Sequence, residues 1–146
     1  MGTTMHAHIE VKINGNWEHY ATPTVEQNYL LYAAVNGVRN DFSIENIPEI
    51  KPQASIQGLP ADCTKLTKYC YELDKKSSHI YGEGCLTATD LENLQRHLFE
   101  IADAIDYTDR YSMDLEYTLF RTYINGNSIM EHQGFEDVRI IFWYDN

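Results

Sequence analysis

Basic residues are scarce in this chain of 146 residues: 11 Lys and Arg stand against 22 Asp and Glu, a formal net charge of −11. That balance argues against direct binding to nucleic-acid backbones, which needs clustered Lys and Arg. It suits a soluble protein, or one that meets a basic partner. Cysteine is scarce too. Cys63, Cys70 and Cys85 are odd in number and form no CxxC pair, so free thiols in a reducing, cytoplasmic compartment are expected rather than a disulfide framework. No apolar run approaches the ~20 residues of a membrane-spanning helix, and no signal peptide is evident, so no membrane partner is expected. The nucleotide-loop patterns, the H-E-x-x-H zinc motif and the G-x-S-x-G nucleophile elbow are all missing. No internal repeat or low-complexity segment occurs.

What the chain does have is apolar and aromatic content. Hydrophobic residues make up 43% and Tyr accounts for 11 positions, which argues against disorder and fits one domain with a real core. Met1 to Met5 reads as a short leader before a second possible start, with a single domain over 6–146. His6 to Ile13 alternates. Ala7, Ile9, Val11 and Ile13 face one way, and His6, His8, Glu10 and Lys12 the other, the pattern of a half-buried strand. Asn14-Gly15 is a hairpin turn signal, and Trp17 to Tyr20 is the return strand. The ending, Asp137 to Tyr144, is dense in β-branched and aromatic residues and needs a partner strand. The N-terminal hairpin is the best one.

Between these ends the pattern is helical. Thr22, Pro23 and Glu26 open a helix over Val25 to Val35 that Gly37 closes. Asp41 to Pro60 holds three of the four prolines and reads as a long irregular loop. Asp62 caps a helix through Leu66, Tyr69, Cys70 and Leu73, with Cys63 and Cys70 on one face. Asp74 to Gly84 reads as a second irregular stretch. Thr87 to Asp90 resembles a capping box, and Leu91, Leu94, Leu98, Ile101 and Ile105 follow at helical spacing. A further helix is expected over Tyr107 to Tyr123. The fold class is therefore α+β: a small antiparallel sheet of N-terminal hairpin plus C-terminal strand, covered on one face by three or four helices.

Few residue groups point to chemistry. His6, His8 and Glu10 share a strand face and are candidate metal ligands or acid–base groups for a phosphoesterase, against the plainer reading of a polar strand face extended by His19. Asp74, Ser77, Ser78 and His79 lie too close in sequence for a triad held by separate elements. They suit hydrogen bonding to a phosphate or stacking on a base. Arg39, Arg121 and Arg139 lie among apolar or aromatic neighbours, where each must be ion-paired or clamp an anion or nucleobase.

On the final strand, Val138, Ile140, Phe142 and Tyr144 are expected to face the helices. Arg139 and Trp143 then lie on the opposite face beside His6 and His8. A Trp there calls for a cover, expected from a second protomer or a ligand, or else from the Asp41 to Pro60 loop.

Several islands carry a family resemblance: His6-Ala7-His8-Ile9-Glu10-Val11-Lys12 with Gly15 to Glu18, Tyr29 to Leu31 through Gly37-Val38-Arg39-Asn40, Gly58 to Asp62, Ser77-Ser78-His79, Leu86-Thr87, and Val138 to Asn146. Together the chain resembles a family of small uncharacterised proteins of tailed bacteriophages. In that family the Ser/His segment ends in Trp-Leu-Thr. Here Tyr81 to Cys85 intervene and the Trp is absent. The resemblance implies a phage accessory protein in the cytoplasm of a bacterial host. The function expected is counter-defence by sequestering a small nucleotide-type immune signal, with Arg39, Asn40, Ser78, His79, Arg139 and Trp143 as ligand contacts, no cofactor, and a site formed in a homo-oligomer. The alternatives are an acidic inhibitor that binds a host defence protein through the Asp90 to Glu116 face, and a metal-assisted phosphoesterase.

Overall fold

The computed structural model describes residues 2–25, 27–40, 49–104 and 134–146. The protein is an α+β fold on one five-stranded antiparallel sheet. Strand β1 (Thr4–Ile13) turns through Asn14 and Gly15, both at positive φ, into β2 (Asn16–Ala21). Helix α1 (Tyr29–Asn36) follows, then the two-residue strand β3 (Ile56–Gln57), helix α2 (Lys65–Ser77), strand β4 (Ile80–Leu86), helix α3 (Ala88–Ala104) and strand β5 (Asp137–Asp145). The sheet order is β2-β1-β5-β4-β3. The two ends of the chain therefore meet at the centre of the sheet, with Thr4 opposite Asp145 and Lys12 opposite Asp137.

The alternation of β1 and β5 sorts their side chains onto two faces. Met5, Ala7, Ile9 and Val11 join Val138, Ile140, Phe142 and Tyr144 against α1 and α3 in the main core. Helix α1 is almost wholly buried from Leu30 to Val35. Its cap is Asn28, whose side chain accepts from the Leu31 N–H, not Thr22, and it starts four residues later than its pattern predicts. Gly37 closes it in the left-handed conformation. Thr87 and Asp90 bond each other's backbone N–H, the reciprocal box that starts α3, and Leu91, Leu94, Leu98 and Ile101 point inward. Ile105 and the helix expected over Tyr107 to Tyr123 lie outside the described residues.

Three features depart from the expected plan. Asp74 to Gly84 is the end of α2 plus most of β4, not a loop. Gly82 and Gly84 hide the strand: the ladder with β5 is irregular between Tyr81 and Gly84, and a Cβ on Gly84 would lie 2.7 Å from Phe142 Cζ. Glycine is required there by close approach, which blanks the sequence signal for a strand. Second, the helices cover both faces, because α2 lies on the side opposite α1 and α3. Its cap is Thr64, whose hydroxyl accepts from the Thr67 N–H, rather than Asp62; Cys63 therefore precedes the helix. Third, β1 begins at Thr4, inside the stretch read as a leader, and Thr3 is fully buried.

Gly84→Ala should push Phe142 from its seat and lower stability by ~1–3 kcal/mol. Gly15→Ala, at the open hairpin tip, should lose ~1 kcal/mol through its positive φ alone. Chemical denaturation of the two variants side by side tests the ranking.

Candidate functional site

The second sheet face carries the residues that sequence pattern singles out. His6, His8 and Glu10 of β1 stand beside Trp143, Ile141 and Arg139 of β5, in direct register: His6 opposite Trp143, His8 opposite Ile141, Glu10 opposite Arg139. The cover over Trp143 is not a second protomer or a ligand. It is α2, through Cys70 and Tyr71, with Cys63 and Leu59 alongside. Trp143 is 0% exposed, and its indole N–H donates to Asp74 Oδ2 at 2.9 Å. His8 stacks on it at 4.9 Å and Tyr71 meets it edge-on at 5.2 Å.

Arg139 is equally committed. Its Nε and Nη2 both donate to Glu10 Oε1, at 2.9 and 2.8 Å, and Nη1 donates to Asp62 Oδ1 at 2.9 Å. The other Glu10 oxygen accepts from the Thr64 N–H and from the Thr64 and Thr67 hydroxyls, all within 2.9 Å. Burial pushes the Glu10 carboxyl up, but the bonds from Thr64, Thr67 and Arg139 outweigh it and hold the group below the usual carboxylate range. The Arg139 guanidinium also lies 4.0 Å from the centre of the Trp17 ring. Arg139 and Trp143 thus hold the fold together, and their polar groups are taken.

The histidines divide the same way. His6 Nε2 lies 2.6 Å from Asp145 Oδ2. His8 Nδ1 lies 3.1 Å from His19 Nε2, with the Thr22 hydroxyl bridging both. Burial, then the neighbouring His19, pushes His8 down to about 4, so its ring is neutral near pH 7. The face is shared as expected, His19 included, but His6, His8 and Glu10 turn to three different partners. Among the described residues no group of three or more His, Cys, Asp and Glu is arranged to hold a metal. Burial raises the Cys85 thiol to about 12, which leaves it protonated and a poor nucleophile.

The remaining candidates gather at the far end of the sheet. Arg39 has a left-handed backbone, φ 56°, unusual outside glycine. Its guanidinium lies over Tyr29 at 5.6 Å, and its Nε donates to Thr3 Oγ1 at 2.7 Å. Thr3 Oγ1 contacts the Tyr81 hydroxyl at 3.0 Å and Asn146 Oδ1 at 3.0 Å. His79 stacks on Tyr81 at 5.9 Å. Arg39 and His79, forty positions apart in sequence, are therefore linked, Arg39 through the Thr3 and Tyr81 hydroxyls and His79 by stacking on the Tyr81 ring. Asn40 turns its amide to the Ile50 carbonyl, and exposed Ser78 closes the end of α2. Arg121 lies outside the described residues. Pattern reasoning missed Thr3, set aside with the leader, and Tyr29 and Tyr81, two of many tyrosines with no motif to mark them.

A cleft of about 540 Å³ opens elsewhere, between β2 and the start of α2, lined by Trp17, His19, Asp62, Lys65 and Leu66 among others. Comparison with protein-family models, with curated proteins and with solved structures found no match to this chain.

Two outcomes follow from the buried polar face. Glu10→Ala should destabilise by ~3–5 kcal/mol, because it removes the buried partner of Arg139 and leaves only the exposed Asp62, while Glu10→Leu with Arg139→Met should recover most of the loss; denaturant melts of the two variants and the parent decide it. The pH dependence has a definite sign. His8 binds its proton less readily folded than unfolded, so unfolding takes up a proton below pH ~6.5. Stability should fall from that point down towards the folded value of about 4, with a slope up to ~1.4 kcal/mol per pH unit. His8→Asn should flatten that limb in melts between pH 7 and pH 4.5.

Proposed function

We propose that the protein is a non-catalytic binding protein for a small nucleotide-type ligand, acting for a bacteriophage against a host immune signal. One observation carries this reading: the Arg39 backbone is held in a sparsely populated conformation that lays an exposed guanidinium across Tyr29, in one network with Tyr81 and the exposed, stacked ring of His79. Strain of this kind costs about 1 kcal/mol or more and is retained where neighbours over-determine it. Layered guanidinium, phenol and imidazole groups match a ligand with planar bases and phosphates. The groups on the opposite sheet face are consumed by one another, which favours binding over turnover as the use of this fold. Arg39, His79 and Ser78 would contact the ligand directly, with Asn40 and Thr3 behind them. Arg139 and Trp143 would support the scaffold.

A second reading rests on α3, where Phe99 is 59% exposed on the same helix as exposed Glu92, Glu100 and Asp103. An acidic surface with one aromatic anchor suits a basic host protein.

Calorimetry against cyclic and ADP-ribose-derived nucleotides tests the first reading. One member of the set should bind, and Arg39→Ala and His79→Ala should each weaken it by about tenfold or more with the melting transition intact. Absence of binding to every member by folded protein counts against it. A stoichiometric basic partner recovered from host lysate at low salt and lost at high salt would favour the second.

A further inference from the structure

We propose that the groove between β2 and α2 receives an extended, acidic and apolar segment of a partner protein, which adds to the sheet as a sixth strand beside β2. This goes beyond the ligand reading, involves none of its residues, and stands or falls separately.

Among the described residues β2 pairs with β1 alone, so the backbone groups along its outer edge have no strand partner. Such an edge is a template for another chain, and proteins usually blunt it with Lys, Pro or a covering element. From Asn16 to Ala21 the strand carries neither Lys nor Pro. The cleft of about 540 Å³ lies along this edge. Trp17 and His19, alternate residues of β2, line one side, and Lys65 and Leu66 of α2 line the other. An added strand has alternate side chains pointing to one face, and here that face opens into the cleft.

The surface of α2 continues the groove. Leu66, Tyr69 and Leu73 are 48, 63 and 46% exposed, at i, i+3 and i+7 on the helix. They form one apolar stripe that starts in the cleft and runs ~10 Å along α2. That length matches about three residues of extended chain, roughly half the span of the six-residue β2. Exposed large side chains in a row are unusual on a free surface and mark contact sites.

Charge selects the occupant. The protein as a whole is strongly acidic, yet four of its six lysines, Lys65, Lys68, Lys75 and Lys76, lie within α2. Lys65 and Lys76 stand one turn from Tyr69 and Leu73, on the border of the stripe. Lys12 sits beside Trp17 on the same sheet face, its ammonium 5.7 Å from the ring centre. Of the two acids that line the cleft, Asp62 is already engaged by Arg139, which leaves Glu18 alone against these lysines. An acidic strand with apolar alternate residues thus meets lysines at its rim and Trp17 and Leu66 at its floor.

The test uses short synthetic peptides that alternate Glu with Val, Ile or Phe, their Lys counterparts, and versions N-methylated at alternate amides. Binding is read from hydrogen exchange of the β2 amides and from Trp fluorescence of the full chain. The acidic peptides should slow exchange over Asn16 to Ala21, the basic ones should bind at least about tenfold more weakly, and N-methylation should abolish protection. Leu66→Glu with Tyr69→Glu changes only exposed side chains, so the variant should melt like the parent and lose the acidic peptides. The proposal is overturned if no acidic peptide binds, if basic peptides bind as well, if protection appears away from β2, or if sedimentation reveals a dimer whose β2 amides are already protected. The last result would assign the edge to a second copy.

Discussion

The fold depends on how one buried cation is neutralised. Arg139 sits buried near the start of the sheet's central strand, where a guanidinium without partners would be untenable. Its answer is Glu10, directly opposite on β1, and Asp62, just before α2. Glu10 in turn gathers both Thr64 and Thr67. One charge therefore joins the first strand, the last strand and the cap of a helix on the second face. It also fixes the strand register. A slip of two residues would keep every side chain on its proper face, so the apolar pattern alone would tolerate it. The ion pair would not, because Glu10 would then lie a full pleat away from the guanidinium.

The two faces of the sheet obey different rules. Above it, α1 and α3 close over aliphatic and aromatic side chains in an ordinary core. Below it, α2 rests on Trp143, flanked by rings and charges that satisfy each other. Helix α2 buries little of itself: Thr67 is its one fully buried side chain. It is held by specific polar bonds at its two ends, Thr64 and Thr67 to Glu10 and Asp74 to the Trp143 indole, more than by area. Groups that remain exposed, such as Arg39 and His79, fall at the rims of the sheet.

Much of this plan is legible in the sequence, for reasons of period. The alternation of His6 to Ile13 and of Asp137 to Tyr144 states which residues face the core, and Asn14-Gly15 states the hairpin. Leu91 to Ile101 states α3. The shared face of His6, His8, Glu10, Arg139 and Trp143 follows from the same count. What the sequence hides is where irregularity serves packing. Gly82 and Gly84 make β4 look like a loop, and β3 is two residues long, so half of the sheet beyond β5 escapes notice. The side of the sheet that α2 takes is decided by its polar ends, which no periodicity records. Thr3 looks dispensable by position, yet five side chains converge on it. For the candidate site, the residue types were legible, but the difference between Arg39, exposed, and Arg139, buried and paired, is tertiary information.

The placement of β5 also bears on how the chain is made. Thr4 pairs with Asp145 and Val11 with Val138, so β1 and its central neighbour are separated by nearly the whole sequence. At 5–20 residues per second, a ribosome delivers β5 roughly ten seconds after β1 has emerged. During that interval β1 has only β2 beside it, and its inner edge and its Ile9 and Val11 face are open. The glutamate that will meet Arg139 waits without its cation. A two-stranded hairpin is marginal in water, and an uncovered apolar edge invites aggregation. The nascent protein thus passes through a stage in which a strand destined for the sheet's interior is exposed, and the sheet closes only once β5 has emerged.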